Sequence, residues 1–480
     1  MKMERIRERD VFLVTTVLLS IISASFVWFY KYPLCVDMPL HVTMGKAFLD
    51  LISGQELANY PYALDIKISS YSFAEIVIAP FIKLFGVVSG TKLLLSIYSL
   101  LFAYSTYYLA GQINPESRWT RLVGFPLALN YFFHWGFWPA MLAFITAIYG
   151  IGIAINYKNT GKGLFGIVST RFLTLLFHPL PVLAVGCFDV VTCLVDVENN
   201  PHWKNPLKWN WGEMLKRWWI PLLFTLIMYL SLDFKSNGMV WASLKVQLIQ
   251  VIRPLYLTAH WWESFLPLLL AGFISLAVFY FILRSKGKNR NLLIASVFIV
   301  LVGLCLPRQG FLRGWEMGAR VVLIGLVLLF SMWSIYEAKL KKYIIIWVVL
   351  FFSINQISSH VLWGRHSDSF NRVIRVVHQH CAGWELGTTY SGTDNTPAIA
   401  IGFHAASWAW CLGDIAYTDD NVLPIHGFGP VRFRGIDSLG EAGMNRGEIV
   451  YHPYEYIVPD SGAIGLETLG RDSIYTIYRR

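Results

Sequence analysis

Asp37 stands about seven residues beyond the first long apolar run, Val11 to Tyr30, within Val36-Asp37-Met38-Pro39-Leu40-His41. A carboxylate in such a place can take a proton from a hydroxyl during group transfer. Pro39 two residues later also marks a helix start, so Asp37 reads equally as an N-cap, and a cap can be catalytic. His41, four residues on, shares a helical face with Asp37, although a lone His there is more often structural. His134 lies in the aromatic stretch Asn130 to Trp138, and His178 opens His178-Pro179-Leu180-Pro181. An interfacial aromatic belt and a tight turn between spans are the simpler readings of those two stretches. Arg171 sits two helical turns before His178 on the same face, and a charge inside an apolar run needs a polar cavity or a partner. Arg308, Arg313, Glu316 and Arg320 fall within fifteen residues of one another. Guanidinium groups form forked hydrogen bonds with phosphate oxygens; contact with lipid headgroups is the plainer alternative.

The elements that must carry these residues are membrane spans. The chain has 480 residues, 55% hydrophobic and 15% charged, with a mean hydropathy of +0.49. Soluble domains carry about a quarter charged residues, so composition points to an α-helical polytopic membrane protein. Runs of near-spanning length fall at 11–30, 91–111, 122–138, 139–156, 163–178, 180–197, 218–233, 263–283, 291–306, 319–337 and 343–359. Ser23-Ala24-Ser25 could be a cleavage site, but apolar residues continue to Tyr30, so an uncleaved anchor is expected.

Basic residues separate into alternate loops. Lys2, Arg5, Arg7 and Arg9 fall on the same side as the clusters around Arg118, Lys158, Lys204–Arg217, Arg284–Arg290 and Lys339–Lys342, 19 positive charges in all. That side is expected to be cytoplasmic. The segment 73–88 sets the register: Glu75, Pro80 and Lys83 disfavour a span, and an interfacial amphipathic helix fits better. About eleven spans follow, with a cytoplasmic N-terminus and Asp37 outside. The net charge of +10 is thus a topology signal. No basic patch with interleaved stacking aromatics indicates nucleic acid.

Residues 1–359 are expected to form the transmembrane domain, with 31–90 as its first outer loop. Residues 360–480 are expected to form a small α+β extracytoplasmic domain. Six Cys show no zinc-type spacing, while Cys381 and Cys411 could form a disulfide in an outward tail.

The layout resembles the GT-C superfamily of integral membrane glycosyltransferases. The local match is Asp37 to His41 followed by Pro80-Phe81-Ile82-Lys83-Leu84-Phe85-Gly86, similar to protein O-mannosyltransferase-like and aminoarabinose-transferase-like proteins. Asn130 to Gly136, Leu176 to Leu180 and the Arg320 span resemble uncharacterised bacterial members more closely. Gly402-Phe403-His404 and Trp408 give a weak match in the tail. The resemblance implies a loop Asp acting as base or near-base, a polyprenyl-phosphate-linked sugar donor, and a lipid, glycan or protein acceptor at the outer face of a bacterial inner membrane. On that reading Asp37 is catalytic, and His41, His134, Arg171, His178, Arg308, Arg313 and Arg320 contact substrate. Many members carry an acidic pair in the first loop, but Asp37 stands between Val36 and Met38, so no metal or other cofactor is assigned. A transporter or a non-catalytic lipid-glycan scaffold is the alternative. Against it, the hydropathy shows no internal two-fold repeat.

Overall fold

A computed structural model describes residues 2–54, 62–64, 72–231, 241, 243–255, 265–284, 289–307 and 316–380, with strand segments at 385–390, 417–418, 431–433, 446–451, 467–471 and 475–479. In chain order the helices begin with α1 (Lys2–Ser25), α2 (Met38–Ile52), α3 (Ser72–Phe85), α4 (Val87–Ile113) and α5 (Gly124–Ala128). They continue with α6 (Tyr131–Trp135), α7 (Trp138–Thr160), α8 (Leu164–Phe177), α9 (Pro179–Asp189) and α10 (Trp211–Ser231). The last five are α11 (Leu244–Ile252), α12 (Phe265–Arg284), α13 (Arg290–Leu304), α14 (Met317–Ser331) and α15 (Glu337–His380).

Among the described residues, five helical segments are long and apolar enough to cross a membrane: Glu8–Phe29, Val87–Ile113, Trp138–Thr160, Phe265–Arg284 and Met317–Asp368. Leu164–Phe177, Pro179–Val195 and Arg290–Leu304 are shorter apolar helices. The chain is a largely α-helical, polytopic membrane protein. One expected span takes another form, and the segment expected to lie outside the set of spans is a short helix. The run 122–138 is broken into a 3-10 turn and the five-residue helices α5 and α6. Hydropathy counts its apolar residues, but Pro126 lacks an amide and Gly136 has φ +69, which no continuous helix accommodates. The segment 73–88 forms α3, fourteen residues long. At 1.5 Å per residue that is about 21 Å, short of a roughly 30 Å hydrocarbon core.

The chain forms two compact units. The first comprises 1–24, 97–131 and 139–356; the second comprises 25–96, 132–138 and 357–480. The expected boundary at 359/360 lies inside α15, which runs unbroken through it.

In the first unit α13 and α14 pack closely. A Cβ on Gly303 would sit 2.6 Å from a Val322 methyl and 2.9 Å from the Gly318 carbonyl oxygen, so glycine sets this approach. Glu337, at the start of α15, accepts from the backbone N–H groups of Arg118, Trp119 and Thr120. Trp333 and Trp347 are fully buried with ring centroids 5.0 Å apart.

In the second unit α2 packs on α3, and Gly45 lies under Ile78. Strand β1 (Tyr62–Leu64) pairs antiparallel with β4 (Val431–Phe433), Tyr62 opposite Phe433. The remaining strands are β2 (Glu385–Tyr390), β3 (Tyr417–Thr418), β5 (Arg446–Tyr451), β6 (Glu467–Arg471) and β7 (Tyr475–Arg479), in the order β3-β2-β5-β7-β6. The β2 pairings are parallel, and the β5–β7 and β6–β7 pairings are antiparallel.

Candidate functional site

The second unit places Asp37 by its backbone. Val36 N–H donates to the His134 carbonyl at 3.0 Å, and Asp37 N–H donates to the Trp135 carbonyl at 2.7 Å. These two bonds tie the entry of α2 to α6. Gly136 makes the approach possible: a Cβ there would lie 2.6 Å from the Met38 nitrogen and 2.9 Å from the Cys35 Cβ. Asp37 occupies the N-cap position, yet its side chain makes no cap bond to α2. Its carboxylate is therefore not engaged in terminating the helix. Residues 32–36 and 38–45 are all buried, while Asp37 is partly exposed.

His41 lies one turn along α2, buried, with Nδ1 2.6 Å from Glu75 Oε1 on α3. Both side chains are nearly inaccessible, at 8% and 5%. His134 is buried as well; its Nε2 stands 3.0 Å from the Ser359 hydroxyl, and its ring packs edge-on to Phe26 and Trp363. Burial pulls the His134 pKa down to about 3, so the ring is neutral at ordinary pH. Burial pushes the Tyr30 hydroxyl up to about 12, where it hydrogen-bonds the carbonyl of His360 at 2.9 Å.

The first unit holds a second polar cluster. His178 caps α9, its Nδ1 accepting from Leu180 N–H at 3.1 Å. Its Nε2 contacts the Arg320 guanidinium on α14. A neutral imidazole has one lone pair, so these two donors compete for it. Burial and the Arg320 charge hold the His178 pKa well below its usual value. One turn before Arg320, Glu316 is fully buried at φ +51 and pairs with Arg253. The Arg253 guanidinium in turn lies 5.3 Å from the Tyr131 ring centroid. Tyr131, His178, Arg253, Glu316 and Arg320 thus form a connected set drawn from four separate stretches of chain. Sequence reasoning did not single out Arg253, whose signal would have been its position just before Pro254.

Arg171 belongs to a different network. Its Nε and Nη2 grip the two oxygens of Asp189 at 2.8 and 2.9 Å, with both side chains fully inaccessible. Arg217 Nη1 and Trp218 Nε1 also donate to Asp189, each at 3.0 Å. The Arg171 fork is therefore taken up by protein. Arg217 belongs to a loop cluster that the charge count assigns to the cytoplasmic side. Arg308, Arg313, Cys381 and Cys411 lie outside the described residues. Among the described residues no group of three or more His, Cys, Asp or Glu side chains is placed to hold a metal ion.

No family model and no curated protein matches this sequence. Among solved structures, the chain is similar to ArnT from Cupriavidus metallidurans in the apo state, with a TM-score of 0.57 and 11% identity over 99% of this chain and 98% of that one. It is also similar to the same protein bound to undecaprenyl phosphate, with a TM-score of 0.52 and 10% identity over 98% and 97%. At such identities the likeness is one of fold alone.

Proposed function

We propose that this chain is an integral membrane glycosyltransferase that moves a sugar from a polyprenyl-phosphate-linked donor to an acceptor at the outer face. The observation that carries this reading is the seat of Asp37. It is a partly exposed carboxylate at the head of α2, fixed through its own amide to Trp135 and not engaged as a helix cap. Asp37 takes the acceptor hydroxyl proton as the oxygen attacks the anomeric carbon, with inversion.

Arg320, with His178 beside it, supplies the charge that holds the donor phosphate and stabilises it as it leaves. Arg308 and Arg313 share that role. His134 supports the Asp37 seat through its carbonyl, and Arg171 orders the first unit through Asp189. The fold shared with ArnT supports the class, and the undecaprenyl phosphate bound to that protein supports the donor chemistry. A cytoplasmic N-terminus and an outward tail are part of the same proposal.

The test is transfer from a panel of polyprenyl-phosphate sugars in proteoliposomes. Asp37→Asn should abolish transfer without changing the melting temperature. Full activity in that variant rejects the reading.

A further inference from the structure

His41 and Glu75 come from helices 34 residues apart in sequence and meet at 2.6 Å in a buried site. Among the described residues His41 is the protein partner of Glu75, and the second carboxylate oxygen of Glu75 is buried with no hydrogen-bond partner. A carboxylate so poorly compensated is expensive as a mere tie between helices, because desolvation exceeds what one contact returns. The arrangement instead fixes a tautomer. Glu75 accepts the Nδ1 proton, which leaves the lone pair on Nε2. Among the described residues that nitrogen has no hydrogen-bond partner. Asp37 lies four residues before His41 on the same face of α2, where side chains are neighbours, about 5–6 Å between Cβ atoms.

We propose that His41, oriented by Glu75, is the proton exit for Asp37. The inference rests on the glycosyltransferase reading and adds two residues to it. In the transfer step the acceptor oxygen forms its bond to the anomeric carbon and its proton goes to an Asp37 oxygen. The bond from that carbon to the phosphate oxygen breaks, and its electron pair stays on the phosphate. Asp37 then passes the proton to His41 Nε2, and Glu75 balances the imidazolium. The proton leaves to solvent and both groups return to their starting states. One proton is released for each sugar moved, matching the extra negative charge on the freed lipid phosphate. The need for a relay follows from the surroundings of Asp37: its neighbours in the chain are buried, so a bound acceptor covers its remaining opening.

The test compares His41→Ala, Glu75→Gln and Asp37→Asn in the proteoliposome assay, each checked for an unchanged melting temperature. His41→Ala should lower kcat by about 10²-fold, the usual scale of a proton-transfer contribution, with the donor KM changed less than twofold. Added imidazole should restore part of that loss, and should restore nothing in Glu75→Gln, whose own ring still fills the place. Nitrogen-15 spectra of histidine-labelled protein should show His41 as the Nδ1–H tautomer, and Glu75→Gln should lose that preference. Unchanged kcat in His41→Ala, with Asp37→Asn inactive, overturns the relay and leaves the base assignment standing. An active Asp37→Asn overturns the reading beneath it. A purely structural role would appear as lowered melting temperatures with no imidazole rescue, and this too overturns the relay.

Discussion

Gly136 lies so close to the amide of Met38 that an added Cβ would sit 2.6 Å from its nitrogen. Gly136 also has φ +69, a conformation that side-chain-bearing residues adopt only with strain. The close approach falls on the first residue of α2, the helix that Asp37 precedes and His41 sits on.

Gly136→Ala should therefore displace the head of α2. The backbone conformation alone is worth about 1–3 kcal/mol, and the clash adds to it. A lowered melting temperature together with loss of transfer is expected. A folded variant with normal kcat would show that the Asp37 seat tolerates movement.

Asp189 accepts from Arg171, Arg217 and Trp218 with no exposure of its own. Removing one partner of a buried ion pair leaves the other charges uncompensated, typically at 3–5 kcal/mol. Asp189→Ala should thus unfold the first unit or lower its melting temperature by many degrees, whereas Asp37→Asn should not. Melting curves in one detergent separate the two carboxylates: the Asp189 variant should melt far lower, and the Asp37 variant should melt with the parent.

His134 gives an acid-sensitive contribution whose sign can be worked out. Its folded-state pKa lies near 3 against an ordinary value of 6.5. Above 6.5 both folded and unfolded chains carry a neutral ring, and the full stability is present. As the pH falls below 6.5 the unfolded chain gains a proton that the folded chain does not, so stability is lost progressively down to about 3. His134→Gln removes this slope. Between pH 7.5 and about pH 5 the variant should lose about 2 kcal/mol less than the parent, read as a smaller drop in melting temperature. Equal drops would mean that the ring is protonated in place.

Hydropathy and loop charge were enough to read a polytopic helical protein, because lipid tolerates little else in a spanning segment. Asp37 was legible because it is a lone carboxylate close behind the first span. The His41–Glu75 contact was not, since Glu75 meets His41 only through the packing of α2 on α3. Asp189 was hidden in the run 180–197, where one acid barely changes the mean hydropathy, so Arg171 looked available for substrate. The broken stretch from Trp119 to Trp135 shows the opposite failure. Its apolar content imitates a span, while Pro126 and Gly136 carry the contrary signal.

Arg320 and Arg253 supply the last prediction. Arg320 contacts His178, and Arg253 pairs with Glu316 one turn before Arg320. If Arg320 holds the donor phosphate, its loss removes a hydrogen bond to a charged group, worth about 1.5–3 kcal/mol, or roughly 10- to 100-fold in donor affinity. Arg320→Lys keeps the charge but not the fork, so it should recover only part of that affinity. Arg253→Gln acts at one remove by removing the ion pair to the buried Glu316, and it should lower the melting temperature more than Arg320→Lys does. The measurement is donor KM alongside thermal melting. A donor KM unchanged in both Arg320 variants would take phosphate binding away from this residue.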